Sequence, residues 1–395
     1  MTDQFSRSFR GTAHQMIIYS LLEKLKERKY IKQFNFYSKN IRIGYKKEQF
    51  YFPFSIEFFD GERWVIQSTT TFPRERMNGY QWNAYHFKKI DESYKKAFVI
   101  YPDAMGENDI KKCMNYNTDI LLNEIYSSLD GVVSFADFYM MIEEKWLENE
   151  SVQKRKALQG TAFEKWLIDI LTHPTNLDIW NGKINMDLGF NFPFFKKILE
   201  SFNIPLGQSI SKINATDKIP LLTPRIEKSR GGKPKTDIVV HIYTDSLTPL
   251  EFTISSKRTS SGWVAINQYS AEVYIDVLKI DEPELKEALY ELQEKGAPTQ
   301  IPKYYQDIII NLLPKYHRAL AEWAYAGIGG EGKGIQNAEY FTVYKNDKKE
   351  LEIYRRDEYI DKILSEVQNG QLGSPFTFTY TGTRGTNIQL RGRVI

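Results

Sequence analysis

The residues best equipped for chemistry are Lys235-Thr236-Asp237, followed by Pro249-Leu250-Glu251-Phe252-Thr253-Ile254-Ser255-Ser256-Lys257. Two strands joined by a turn around Asp245-Ser246 are expected to bring Asp237 near Glu251. Side chains alternate between strand faces, so Glu251, Thr253, Ser255 and Lys257 point one way, and Phe252 and Ile254 the other. One face then offers a carboxylate, two hydroxyls and a lysine beside a carboxylate from the neighbouring strand. Metal-assisted phosphodiester hydrolysis needs such a set. Asp237 and Glu251 would hold Mg²⁺, which takes few protein ligands and keeps several waters. The ion would polarise the phosphate and acidify a bound water. The Lys257 ammonium would orient or deprotonate that water and offset charge growing on the phosphorane. A plain hairpin with a polar outer face carries the same residues, because a D…ExxxxxK pattern arises readily by chance.

Three features favour the chemical reading. The strand after Asp237 is strongly apolar (IVV), as a central strand should be. A basic, glycine-rich loop, KSRGGKPK at 228–235, precedes it and suits a phosphate backbone through Lys228, Arg230, Lys233 and Lys235. A helix further back, GTAFEKW, carries Glu164, which would supply a further metal contact if packed beside the hairpin. Beyond the hairpin, Arg258 could grip a phosphate. Ser260 and Ser261, with Trp263, would offer backbone N–H groups to one at a helix start. Gln268 could orient the metal water or the backbone. In the tail, Arg384, Asn387, Gln389 and Arg391 are residue types that read base edges. The five histidines show no metal-ligand spacing.

The elements that must position these groups follow from periodicity. Residues 14–28, 157–171, 263–279, 282–295 and 303–325 read as helices. Residues 49–72 read as a hairpin around Asp60-Gly61, followed by a helix near 80–90 and a strand at 97–103. Strands are expected at 340–345 and 351–356, and a hairpin over 375–395. The polar stretch ENESVQKRK at 148–156 marks a boundary between an N-terminal α/β accessory domain (1–150) and a second domain (151–395). In the first domain, Glu57, Gln67 and Thr69 fall where a hairpin nuclease would place its chemistry, with no lysine, while Arg74, Arg76, Asn78, Gln81 and Asn83 form a polar cluster.

Composition narrows the class. Hydrophobic residues at 42% can build ordinary cores, and 26% charged residues of mixed sign argue against global disorder. A net charge of +3 neither demands nor excludes nucleic acid. The single cysteine, Cys113, excludes an internal disulfide framework and fits a reducing cytoplasm. No apolar run is long enough for a membrane span, and no Gly-rich loop with an Asn/Asp-Pro-Pro-aromatic motif suggests a methyltransferase.

The run GGKPKTDIVV…TPLEFTISSKRTSSGWVAINQYSAEVY resembles the MspI family of type II restriction endonucleases, within the PD-(D/E)xK superfamily. So do the QGTAFEKWLIDIL, KIDEPELKEAL and LLPKYHRALAEWAY segments and the closing FTFTYTGTRGTNIQLRG, so that the likeness covers about 155–395. It implies a mixed β-sheet flanked by helices (restriction-endonuclease-like), Mg²⁺ dependence and cleavage of double-stranded DNA within a short site. A cognate DNA methyltransferase would be the functional partner, with a homodimer or other restriction subunits as physical ones. Carried over, Asp237 is the first metal ligand, Glu251 the second acid, and the family's lysine falls on Thr253, which has no cation. Lys257 lies six residues beyond Glu251, about 20 Å along a straight strand, and would need a bend to reach it. Alternatively a second metal or another base activates water, or the chain is a non-catalytic DNA-recognition subunit.

Overall fold

The computed structural model describes residues 2–37, 42–45, 48–122, 128–184, 188–223, 232–259, 262–379 and 385–395. The chain divides into two compact units, residues 1–159 with 172–196, and residues 160–171 with 197–395. The division falls inside a helix rather than in the polar stretch 148–156, and residues 172–196 return to the first unit.

The first unit opens with helix α1 (Thr2–Glu27). It buries Ile17, Ile18, Leu21, Leu22 and Leu25, the spacing of one helical face. Strands β1 (Gln33–Phe36), β4 (Phe54–Glu57) and β5 (Arg63–Ser68) form an antiparallel meander, with β2 (Arg42–Tyr45) and β3 (Glu48–Tyr51) paired separately. The Asp60-Gly61 turn closes β4 on β5, with Gly61 at φ +86°, the left-handed region glycine enters without strain. Helix α2 (Arg74–Ile90) crosses over to β6 (Tyr94–Tyr101), parallel to β5. Helix α3 (Glu107–Tyr116) leads to β7 (Gly131–Ser134), parallel to β6, and helix α4 (Phe135–Leu147). Ser134 caps α4 through its side chain, accepting from Asp137 N at 3.1 Å.

Helix α5 (Val152–Thr172) contributes residues to both units, and α6 (Pro174–Trp180) and α7 (Phe192–Ser201) follow. Strands β8 (Lys212–Thr216), β9 (Ile238–Tyr243) and β10 (Leu250–Thr259) form a second antiparallel meander. Then β11 (Trp263–Tyr269), helices α8 (Ala271–Leu278), α9 (Pro283–Lys295), α10 (Lys303–Leu312) and α11 (His317–Ala321) precede β12 (Tyr340–Lys345), parallel to β10. Strand β13 (Glu350–Arg355) pairs with β12, and helix α12 (Arg356–Leu364) packs its Tyr359 ring on Phe341 at 4.3 Å. The sheet order is β13-β12-β10-β9-β8. Strand β9, flanked by β10 and β8, buries Ile238, Val239, Val240 and Ile242, the near-continuous apolar run of a strand covered on both faces. A third sheet, β11-β15-β14, is completed by β14 (Thr377–Thr379) and β15 (Ile388–Arg393).

The helix expected over 263–279 is half wrong. WVAINQY, rich in β-branched and aromatic residues, is strand β11, and α8 starts only after Ser270. The two large sheets share one connectivity. A helix is followed by a three-stranded antiparallel meander and a crossover to a strand parallel to the third: β1-β4-β5-β6 in one and β8-β9-β10-β12 in the other.

Candidate active site

Asp237 stands immediately before β9, where the β9–β10 ladder is running out. The register pairs Ile238 with Ile254, and Asp237 N donates to Ile254 O at 2.8 Å. Beyond that point β10 has lost its β9 neighbour, and the Asp237 carboxylate replaces it. Oδ2 accepts from Ser256 N at 2.7 Å, Ser255 Oγ at 3.2 Å and Lys257 Nζ at 3.2 Å. Lys257 also donates to Ser255 Oγ at 2.7 Å and Ser256 O at 3.1 Å. The opposite edge of β10 is held by β12, Lys257 pairing with Val343. An acid, a hydroxyl and an ammonium therefore meet on a backbone fixed from both sides.

Glu164 lies on α5 beside the buried Phe163, Trp166 and Leu167. Its carboxyl is pushed up to about 7, first by burial and next by the negative charge of Asp237, against the pull of Lys257 and Lys233. Two acids thus interact in a partly buried place, where a divalent cation would offset the charge of both. No cluster of three or more His, Cys, Asp or Glu suited to a metal occurs among the described residues. Two carboxylates completed by water fit Mg²⁺, which is rarely caged by protein alone.

Glu251 does not join this centre. It sits opposite His241, its Oε2 3.0 Å from His241 Nε2, half-exposed. It precedes Ser255 by four residues, about 13 Å along the strand. The expectation that the turn brings Asp237 to Glu251 fails because the register is four residues further along. Thr253 is structural. Its Oγ1 donates to Asn337 O at 2.7 Å and accepts from Glu339 N at 3.0 Å, tying β10 to the entry of β12. Lys257 does not approach Glu251, and no bend brings it there; its acidic neighbour is Asp237. Ser255, two residues before Lys257, lies on the strand face the sequence picks out for chemistry, but the sequence assigns it no role of its own. The signal was available: a hairpin folded about Asp245-Ser246 sets Asp237 opposite residue 254.

The DNA-contact candidates scatter. Lys228, Arg230, Ser260, Ser261 and Arg384 lie outside the described residues. Lys233 is exposed near Glu164. Lys235 is not a phosphate contact: its ammonium is bonded to Ile266 O and, at 2.7 Å, to Asn267 Oδ1. Burial first, and the charge of Lys257 next, push this amine down to about 7. Arg258 donates to Asn346 Oδ1 at 2.8 Å and lies over the Tyr344 ring. Trp263 opens strand β11 and helix α8 starts only at Ala271, so Trp263 stands at no helix start, and Gln268 sits on β11 rather than on a helix. Gln268 pairs across with Gln389, which pairs with Thr379, while Arg391 lies between Ala265 and Thr377. These cross-strand rows share one face of the third sheet, on which Gln268 and Arg391 are exposed. Asn387 directly precedes β15.

In the first unit Phe54 pairs with Ile66 as Ile238 does with Ile254. Pro53, Gln67 and Thr69 then stand where Asp237, Ser255 and Lys257 stand in the second. None of these is an acid or a cation. Glu57 is held by Lys32 at 2.6 Å and Gln33 at 2.7 Å, and Gln81 of the polar cluster is buried, accepting from Leu129 N.

A family model described as Restriction endonuclease MspI matches residues 139–392. The Type II restriction enzyme BsuFI of Bacillus subtilis is 30% identical over 364 residues, covering 89% of each chain. The crystal structure of restriction endonuclease MspI in complex with its cognate DNA matches with a TM-score of 0.52 at 20% identity, over 65% of this chain and 98% of that one. The family likeness starts earlier than residue 155 and reaches the tail. The chain belongs to the MspI family of type II restriction endonucleases.

Proposed function

We propose that this enzyme cuts double-stranded DNA by Mg²⁺-assisted hydrolysis at a centre built from Asp237, Glu164, Ser255 and Lys257. The observation that carries this reading is the Asp237 carboxylate 3.2 Å from Lys257, with the hydroxyl of Ser255 bonded to both. Asp237 and Glu164 would hold the ion. When bound, Mg²⁺ supplies Lewis-acid polarisation of the phosphate and an acidified water. Lys257 is fixed by Ser255 Oγ and Ser256 O, so its charge is in place before the phosphorane forms. Ser255 occupies the place the second acid was expected to fill, and orients the lysine instead of binding metal. The attacking group is water, so no covalent enzyme intermediate forms. The β11-β15-β14 face, with Gln268, Gln389 and Arg391, would read base edges in the major groove.

The placement of Lys257 beside Asp237 supports a chain that cuts over a recognition subunit that does not. A DNA methyltransferase of the same specificity would protect the host genome, and an enzyme that meets incoming DNA inside the cell would work in the cytoplasm. No described helix is long and apolar enough to cross a membrane. Incubating the purified chain and its Asp237→Ala variant with phage DNA and Mg²⁺ tests the reading. The parent gives discrete fragments, and Asp237→Ala binds the same site without cutting. A cutting Asp237→Ala protein overturns it.

A further inference from the structure

We propose that Lys235 is the positioning residue through which the β11-β15-β14 sheet, once seated on its DNA sequence, sets Asp237 for cutting. The inference rests on the reading of Asp237 as metal ligand and of that sheet as the sequence reader. Lys235 lies on the lead-in to β9, two residues before Asp237, yet its ammonium bonds the third sheet, at Ile266 O and Asn267 Oδ1. The contact falls on an irregularity: the β11–β15 register shifts between Ala265 and Asn267. A bulge leaves its extra residue outside the ladder, and the carbonyl of that residue, Ile266, is the one Lys235 takes.

The linkage has little slack. The Lys235 stem runs beside Gly327, where an added Cβ would come within 3.4 Å of Lys235 Cγ. Between Lys235 and Asp237, Thr236 is buried and its N–H is bonded to Gln336 O. The lysine also fixes the amide of Asn267. With Oδ1 accepting from Lys235, the Nδ2 donor is buried without an acceptor. The next residue, Gln268, faces Gln389 on the proposed reading face. A shift of the bulge as bases engage is thus passed through charge-assisted hydrogen bonds to a segment two peptides from the metal ligand. An incorrect sequence, seating the sheet differently, leaves Asp237 displaced, and a displacement of about 1 Å at such a centre costs ~10²-fold in rate.

The test uses the full chain on its own recognition site, mapped by fragment-end sequencing, and on sites altered at one base. Lys235→Met keeps the stem and removes both bonds; Asn267→Ala keeps the bond to Ile266 O and serves if Lys235→Met does not fold. Single-turnover cleavage, binding with Ca²⁺ in place of Mg²⁺, and thermal unfolding are read for each. Lys235→Met should cut its site ~10²-fold more slowly while its Kd moves less than about threefold. The ratio of cognate to altered-site rates should fall about tenfold, with Asn267→Ala moving both quantities the same way by less and Lys235→Arg restoring part of the loss. Three results overturn the link: rates and ratios at parental values, a loss of binding that accounts for the loss of rate, or a lower Tm with an unaltered ratio. Asp237→Ala, run in parallel, separates the two claims. If it still cuts, the assignment of the centre fails; if it is inactive while Lys235→Met behaves as parent, only the link fails.

Discussion

Truncating Glu251 and Lys257 separately to alanine distinguishes the observed register from the one the residue pattern suggests. Glu251 is tied to His241 at 3.0 Å, with 49% and 32% of the two side chains exposed. A polar contact so open to solvent contributes about 0–1 kcal/mol. Its strand position is about 13 Å from Ser255, beyond the reach of one side chain. Glu251→Ala should therefore leave both stability and Mg²⁺-dependent cleavage close to parental. Lys257→Ala removes an ammonium 3.2 Å from Asp237 Oδ2 and 2.7 Å from Ser255 Oγ. Losing one preorganised donor at a centre of developing charge costs ~10²–10³-fold, about 3–4 kcal/mol in the barrier. Single-turnover cleavage of supercoiled plasmid under saturating Mg²⁺ measures both variants, with binding followed in Ca²⁺. An inactive Glu251→Ala beside an active Lys257→Ala would refute the register argument and the centre built on it.

Other outcomes follow from the same geometry. Thr253→Val strips the hydroxyl donor from Asn337 O, while Glu339 N keeps its bond to Thr253 O at 3.1 Å; chemical denaturation should show a loss of about 1–3 kcal/mol, typical of an unpaired buried group, with cleavage by the folded protein unchanged. Glu164 must shed its proton to bind metal, and its carboxyl titrates at about 7. Half-saturating Mg²⁺ should therefore fall about tenfold per pH unit up to 7 and level off above, and Glu164→Gln should abolish the slope. The sign for stability is opposite. A carboxyl whose folded value lies above its unfolded one is stabilising while protonated, so the metal-free protein should lose stability as pH rises from about 4.5 through 7, and Mg²⁺ should restore it. Arg391→Ala should relax sequence preference at one position by about 1–3 kcal/mol, read from the sequences of fragment ends.

Much of the centre was legible because its residues announce themselves locally. Asp237 heads an apolar strand, Glu164 flanks the Phe163-Trp166-Leu167 face of α5, and Lys257 shares a face with Ser255 on β10. The error at Glu251 was one of register. Alternation says which residues share a face, but not how far one strand slides past its neighbour. The turn position at Asp245-Ser246 carried that information and points to the neighbourhood of Ser255. The role of Lys235 was not legible, because a lysine in a basic, glycine-rich stretch looks like a phosphate contact until the bulge in β11 is seen. The repeat of connectivity between the two sheets was hinted at by the hairpin at 54–68, but that Pro53, Gln67 and Thr69 take the corresponding places, with neither acid nor cation, emerges only from the pairing.

The most direct test is the position of the metal itself, in crystals of the enzyme with its DNA site and Mn²⁺ in place of Mg²⁺. The anomalous signal is predicted about 2.0–2.3 Å from an oxygen of Asp237, with Glu164 bound directly or through one water and Lys257 near the scissile phosphate. A peak coordinated by Glu251, with Glu164 and Asp237 unliganded, would contradict the account.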